Sequence, residues 1–137
     1  MEKPQKIAIG RDWAGWYEKF AQALESYRSQ GVDLSYSIVD FDRADWLDQI
    51  AAYDVVLWDP HYMGINLASH LKEKIYVLQF ILHKMVVPNF NTVWHYESKV
   101  AESLLFNHYG IKTPPTFVTF DYTEARHELE RVNLPVV

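Results

Sequence analysis

Lys99 is the most informative candidate for a binding residue in this sequence. In the helix predicted around it, Val100 and Leu104 mark the apolar stripe, and Lys99 lies on roughly the opposite side at about 100° per residue. Phe106 lies close to the line of Lys99, two turns later. Either Phe106 is an isolated exposed apolar residue, or this helix face is covered by protein that lies outside the chain. In the second case, Lys99 points into a cleft between domains.

A polar loop between the first predicted strand and the first predicted helix is the second candidate. Residues 10–15 read Gly-Arg-Asp-Trp-Ala-Gly. They match neither G-x-G-x-x-G nor a P-loop, which needs Lys and Ser or Thr where Trp16 and Tyr17 stand. Ligands of open α/β sheets still bind at loops in this position, so Arg11 and Asp12 are candidate substrate-binding residues. The alternative is a tight turn with solvated charges.

The histidines give little support for a metal site. None of the six forms H-x-x-x-H or H-E-x-x-H, and the chain has no Cys. His61 follows the third predicted strand in a loop on the ligand side, so it is a candidate substrate residue, with a structural role as the alternative. No Ser/His/Asp arrangement can be read from the sequence. We therefore assign no metal ligand and no catalytic residue.

Strands alternate with helices in the first part of the chain. In order, the predicted elements are a strand at 6–10, a helix that ends at Gly31, an edge strand at 33–41, a short helix capped by Asp42, a strand at 54–58, a long helix from Asn66 and a strand at 86–87. Parallel strands need helical crossovers. The alternation therefore predicts an α/β fold with a Rossmann-like, open, mostly parallel sheet and helices on both faces.

The pattern changes after Asn89. The predicted elements are then a helix capped by Asn91 or Thr92 and ended by Gly110, a strand at 116–120 after Pro114-Pro115, a helix at 124–132 capped by Thr123, and a strand that begins at 134. We therefore predict two domains, residues 1–89 and 90–137. Natural domains seldom end on an unfinished apolar strand, so we expect the second domain to be incomplete and the chain to be a fragment. An apolar patch left by missing protein would favour self-association.

Composition excludes several classes of protein. The 49% hydrophobic and 15% aromatic content argues against a disordered chain. The net charge of -5 comes from scattered charges without a basic patch, so we expect no nucleic-acid partner. No signal-peptide h-region is present, and the apolar stretch at 75–88 is too short and too polar to cross a bilayer. Together with the absence of Cys, these features predict a cytoplasmic protein that does not bind membranes.

Five short motifs follow one another in residues 86–137. They are Pro88-Asn89, Ser98-Lys99, the stretch 110–116, the helix at 124–131 and Pro135-Val136-Val137. In this order they resemble the ATP-grasp superfamily of carboxylate-amine and related ligases, whose pattern is PN after the last strand of the N-terminal domain, DK on a helix, GI..P.T, a strand, a short acidic helix and PVV(L/I)K. The preceding residues match only in the order of their elements, as a pre-ATP-grasp domain. Two departures are Ser98 in place of the usual Asp, with Glu97 adjacent, and the absence of the Lys expected after Val137.

The resemblance implies an enzyme that uses ATP and Mg²⁺ to activate a substrate carboxylate as an acylphosphate, which an amine or other nucleophile then attacks. Lys99 would bind the nucleotide phosphates, a role that suits the mobile point charge of an ammonium. The loops at 10–15 and 59–64 would receive the small-molecule substrate. The family's Mg²⁺ ligands lie downstream of these residues, so this chain alone is expected to be inactive and to hold neither ATP nor Mg²⁺.

A free-standing, flavodoxin-like α/β module without ATP chemistry is the competing interpretation. It would recognise a small ligand or a protein partner through aromatic side chains in its loops, namely Trp13, Trp16, Trp58 and Tyr62. A response-regulator receiver is a narrower version of this interpretation. Asp59 would imitate the receiver's phosphoacceptor, but Arg11-Asp12 does not supply the acidic cluster that a receiver needs after its first strand.

Overall fold

The computed structural model describes residues 5–59, 65–95 and 98–131. Contacts along the chain divide it into two compact units, residues 1–97 and 98–137. The described strands are β1 (Gln5–Gly10), β2 (Leu34–Val39), β3 (Val55–Leu57) and β4 (Met85–Val87). The described helices are α1 (Trp16–Ser29), α2 (Trp46–Ile50), α3 (Ile65–Tyr76), α4 (Phe90–Val93), α5 (Lys99–His108) and α6 (Tyr122–Arg131).

The four strands form one parallel sheet in the order β2-β1-β3-β4. The central strand β1 pairs on both sides, with Ile7 opposite Tyr36 of β2 and opposite Val55 of β3. Val55 is in turn opposite Met85 of β4. The prediction of an α/β fold with a parallel sheet is confirmed, as is the edge position of β2.

One face of the sheet packs against α1. Ile7 and Ile9 point to this face, because alternate side chains of a strand point to opposite faces. Both are buried with Leu24 of α1. The partly buried residues around them are Tyr17, Phe20, Ala21, Leu34, Tyr36, Val55 and Leu57. The apolar period of α1 therefore marks its sheet-facing side, as the sequence predicts.

The opposite face carries the larger core. Ala8 of β1 and Val56 of β3 point to it and are fully buried. Their buried neighbours come from β2, β4, the loops after β2 and β3, α2, α3, the turn after α3 and α4. These residues are Val39, Phe41, Ile50, Trp58, Leu71, Ile75, Leu78, Val86 and Val93. Helices thus lie on both faces of the sheet, which agrees with the predicted arrangement.

Gly31 ends α1 through its backbone conformation. Its φ of 90° lies in the left-handed region, which costs a glycine little. In this conformation the Gly31 N–H donates to Arg28 O at 3.0 Å, and the Val32 N–H donates to Tyr27 O at 3.2 Å. These two bonds satisfy carbonyls that the helix end would otherwise leave without donors. The prediction of Gly31 as the stop residue is confirmed.

Two helices of the first unit differ from their predicted form. The short helix α2 begins at Trp46, so Asp42 does not cap it. The Asp42 N–H instead donates to Asp40 Oδ1 at 3.0 Å, a local turn that competes with helix. The long helix changes after α3 into a π-helical turn, Val77–Ile81, closed by a bond of 2.9 Å from Leu82 N to Val77 O.

The helix predicted from Asn91 or Thr92 is divided into two. Asn89 caps α4, accepting from Thr92 N at 3.1 Å, and Val93 at the end of α4 is buried in the first unit's core. Ser98 caps α5, and its Oγ accepts from Ala101 N at 3.3 Å. Two good caps within ten residues favour two starts over one continuous helix.

In the second unit, Gly110 ends α5 as predicted. Its φ is 64°, and the Ile111 N–H donates back to Phe106 O at 2.9 Å.

The predicted strand at 116–120 is wrong, since no strand is present within 98–131. A strand needs a partner for its backbone groups, which sequence pattern alone cannot supply. The last helix begins at Tyr122 with Asp121, rather than Thr123, accepting from Glu124 N at 2.8 Å. The strand predicted from residue 134 lies outside the described residues.

One side of β4 remains exposed among the described residues. Val86 is buried, whereas its neighbours Met85 and Val87 are more than half exposed and face the α1 side of the sheet. Self-association through such a surface remains a prediction. Among the helices described, none combines the length and apolar character needed to cross a bilayer.

Candidate functional site

The order of the strands marks one edge of the sheet as the candidate site. The chain leaves β1 toward β2 on one side and later returns to add β3 on the other, so the connections diverge at the carboxyl ends of β1 and β3. In open α/β sheets, ligands bind in the crevice at this point. Here it is bordered by the loop after Gly10 and by Trp58 and Asp59, which follow β3. The fold therefore places the loop of Arg11 and Asp12 where the sequence predicts it.

Asp12 acts on the first turn of α1. Its Oδ1 accepts from Trp16 N at 3.0 Å, and its Oδ2 accepts from Tyr17 N at 2.8 Å. Both carboxylate oxygens are thus used by backbone groups at the positive end of the helix. This is the position where a ligand phosphate would bind in a nucleotide-binding loop. Asp12 fills it from within the protein, which gives this residue a structural role whatever its part in substrate binding.

Arg11 is the exposed cation of the same loop. Its backbone N–H donates to Val39 O at 2.8 Å and continues the pairing of β1 with β2. Its guanidinium lies over the ring of Tyr17, with Cζ 5.5 Å from the ring centroid, within cation–π range. The ring restricts the side chain while leaving it accessible. Arg11 therefore remains suited to bind an anionic group of a substrate, a role that stays a prediction.

Trp58 packs into the core instead of facing a ligand. Its side chain is 1% exposed and stacks on Phe41, with ring centroids 4.4 Å apart and ring planes at 21°. The two rings come from the loops after β3 and β2. They lie over Gly10, the last residue of β1, and leave no room there for a side chain. The prediction that Trp58 is a ligand-contacting loop residue is wrong, whereas Trp13 and Trp16 are exposed.

Charged residues after β2 are bound to their own segment. Arg43 donates from Nε to Asp45 Oδ1 at 2.9 Å and from its terminal nitrogen to Oδ2 at 3.2 Å. These bonds, followed by one from Gln49, hold the pKa of Asp45 below its ordinary value. Lys74 of α3 donates to Phe41 O at 2.6 Å. Sequence reasoning missed Lys74, because only the folded chain brings α3 to this loop.

The Pro88-Asn89 segment is fixed by a glutamine that sequence reasoning also missed. Oε1 of Gln79, in the π-helical turn, accepts from Phe90 N at 2.7 Å. Asn89 accepts from both the N–H and the hydroxyl of Thr92 at 3.1 Å. These hydrogen bonds hold the chain where it leaves β4. The Val87–Pro88 peptide bond is cis. A side-chain amide within an apolar helical run is the sequence signal that would have pointed to Gln79.

Lys99 lies in the second unit, as the first residue of α5. Its Nζ is 2.8 Å from Glu102 Oε2, and its side chain is 85% exposed. Ser98 caps the helix, because its Oγ accepts from Ala101 N at 3.3 Å. The ammonium is thus accessible at the protein surface and already near one carboxylate.

The remaining predicted residue, His61, lies outside the described residues. Arg11 and Asp12 share one loop of the first unit, whereas Lys99 belongs to the second unit. Within 5–59, 65–95 and 98–131, no group of three or more His, Cys, Asp or Glu side chains is arranged to bind a metal ion.

Comparison with known proteins returned no relationship. No family model, no curated protein and no solved structure matches the chain.

Proposed function

We propose that the protein is an ATP-grasp ligase, in which residues 1–89 form a Rossmann-like pre-ATP-grasp domain and residues 90–137 begin the ATP-grasp domain. It would use ATP and Mg²⁺ to join a substrate carboxylate to an amine or another nucleophile in the cytoplasm. The observation that carries this proposal is the exposed ammonium of Lys99 on the first turn of α5.

The order of the elements supports the same proposal. Pro88-Asn89 follows β4 directly, and Lys99 begins the helix that Gly110 ends. Residues 111–121 are not helical, and the acidic helix α6 follows them. These places agree with the order of the family pattern given above, except that residues 116–120 do not form a strand.

The chemistry requires two displacements. A carboxylate oxygen attacks the γ-phosphorus, the bond from that phosphorus to the β,γ-bridging oxygen breaks, and ADP leaves. An amine then attacks the carbonyl carbon of the acylphosphate, inorganic phosphate leaves, and the amine loses a proton. Lys99 would bind and orient the phosphate chain, since a positioned cation stabilises the charge that develops during phosphoryl transfer.

The described residues do not fit a Mg²⁺ site. Magnesium in proteins is bound by carboxylates together with substrate phosphates and water. No suitable cluster occurs within the described ranges, so we assign no step of the reaction to Mg²⁺ here. The contribution of these residues is the cation of Lys99 and the substrate loop that contains Arg11.

Calorimetric titration of Mg-ATP into the full-length product of the gene tests the proposal. We expect the full-length protein without substitutions, the parent protein, to bind Mg-ATP. Lys99→Ala should lower the affinity for Mg-ATP at least tenfold, because a charge-assisted contact to phosphate is worth about 1.5 to 3 kcal/mol. Lys112→Ala is the matched control, since Lys112 is an exposed lysine of the same unit. Absence of Mg-ATP binding by the folded parent protein would refute the ligase proposal.

One observation favours the competing flavodoxin-like module. Trp13 and Trp16 are 62% and 52% exposed beside the carboxyl edge of the sheet, where a ligand or a partner would be recognised. The receiver version is less well supported, because both oxygens of Asp12 already bind the start of α1. A protein that folds but does not bind Mg-ATP would leave the module as the better interpretation.

A further inference from the structure

Lys99 and Glu102 form an ion pair on the first turn of α5. The nitrogen and oxygen are 2.8 Å apart, and the residues are three positions apart on the helix. The lysine side chain is 85% exposed, whereas the glutamate side chain is 26% exposed. The carboxylate is therefore the more restricted partner, and the ammonium is the group that can move to another anion.

Helix stability explains the place of Glu102 but not that of Lys99. The start of a helix carries partial positive charge, which favours an acidic residue in the first turn and disfavours a cation there. The pair also has the lysine before the glutamate, which is the weaker order for such pairs on a helix. An anionic ligand for Lys99 explains its position better than a contribution to helix stability does.

We propose that Glu102 sets the phosphate affinity of Lys99 by binding its ammonium when no ligand is present. This inference rests on the proposed function, because it concerns the same lysine and the same ligand. A phosphate that approaches Lys99 must displace the carboxylate and then remain close to its negative charge. Glu102 therefore weakens binding twice, by competition for the ammonium and by repulsion of the phosphate.

Glu102→Gln tests these two effects of charge, because it removes the charge and nearly keeps the shape of the side chain. The amide has nearly the same size as the carboxylate but carries no charge. Two unit charges about 4 Å apart in water interact with an energy that corresponds to a roughly fivefold change in the dissociation constant. We therefore expect Glu102→Gln to tighten Mg-ATP binding by about threefold to tenfold.

The experiment is calorimetric titration of Mg-ATP into four forms of the full-length gene product: the parent, Glu102→Gln, Lys99→Ala and the double variant. The glutamine should gain less affinity when Lys99 is absent, because only the repulsion is then relieved. Glu128→Gln is the matched control. Glu128 pairs with Arg131 in α6 at 3.3 Å, also three positions apart, so this variant removes the same charge from another helix of the unit.

The outcomes separate this inference from the proposed function. If Lys99→Ala weakens binding while Glu102→Gln leaves it unchanged or weaker, the role of Glu102 is refuted and the nucleotide site remains. An equal gain from Glu128→Gln would assign the effect to net charge and also refute the role. No binding by any folded variant would refute both proposals. If the glutamine variant unfolds, Glu102→Asp takes its place, since the shorter side chain withdraws the carboxylate and should give a smaller gain.

Discussion

Trp58 closes over the Cα atom of Gly10 at the carboxyl end of the central strand. A Cβ atom added to Gly10 would lie 2.6 Å from Cγ of the tryptophan and 2.8 Å from Cε2 of Phe41. Both rings are almost fully buried and stacked on each other, so neither is a flexible end that can move aside. The small residue is required by packing, whereas the sequence suggested only a strand end and a ligand loop.

Gly10→Ala should therefore destabilise the protein by about 1 to 3 kcal/mol, the usual cost of overpacking a core. The free energy of unfolding from urea titration measures the effect. The control is the same substitution in a Trp58→Phe background, where the smaller ring leaves more room and the cost of the alanine should fall. Equal costs in the two backgrounds would show that the tryptophan is not the obstacle.

Asp12→Ala should lower the free energy of unfolding by about 1 kcal/mol, since the first turn of α1 loses the acceptor for two backbone N–H groups. Asp33→Ala is the matched control, because Asp33 is an exposed aspartate between α1 and β2. Urea titration of both variants gives the comparison. A loss for Asp12→Ala no larger than that of the control would contradict the structural role.

Tyr36 should titrate above its ordinary pKa of 10.0. The main cause is the hydrogen bond of 2.9 Å that its hydroxyl donates to Glu25 Oε1, which favours the protonated phenol. This contribution to stability is therefore complete below the ordinary pKa and is lost as the pH rises through the raised pKa. Glu25→Gln should return the pKa toward its ordinary value in a residue-resolved NMR titration. An unchanged pKa in that variant would contradict this cause.

Lys84→Met should destabilise the first unit by about 1 to 3 kcal/mol, because the ammonium donates to Tyr53 O at 2.6 Å and to Ala51 O at 3.3 Å. A cation at these carbonyls also complements the negative end of α2. Lys19→Met, on the exposed side of α1, is the control. Thermal unfolding of the two variants measures the difference, and equal midpoints would show that the contact contributes nothing.

Features that depend on local backbone chemistry could be predicted from the sequence. Gly31 and Gly110 end their helices as expected, because each adopts a positive φ that glycine tolerates. This conformation lets backbone N–H groups at and after each glycine donate to the last carbonyls of the helix. The parallel sheet could also be predicted, because short apolar strands alternate with helices along the first part of the chain. These signals are contained within a few neighbouring residues or within the order of the elements.

Features that depend on a distant partner could not be predicted in this way. Residues 116–120 have the composition of a strand but no partner strand among the described residues. The burial of Trp58 could not be predicted, because it depends on Phe41 and Gly10, which come from other parts of the chain. Within the candidate site, Arg11 and Lys99 were found from residue type and position. The structural role of Asp12, as acceptor for the first backbone N–H groups of α1, could be recognised only in the folded chain.

Neither α5 nor α6 contains a buried residue, whereas β1 is flanked by a strand on each side. Amide hydrogen exchange should reflect this difference, because segments with few buried apolar contacts open at little cost in free energy. Amides of β1 should exchange only when the whole first unit unfolds, and those of α5 and α6 should exchange much sooner. The second unit is therefore the part of the molecule in which slowed exchange would most readily report a bound nucleotide or a neighbouring domain.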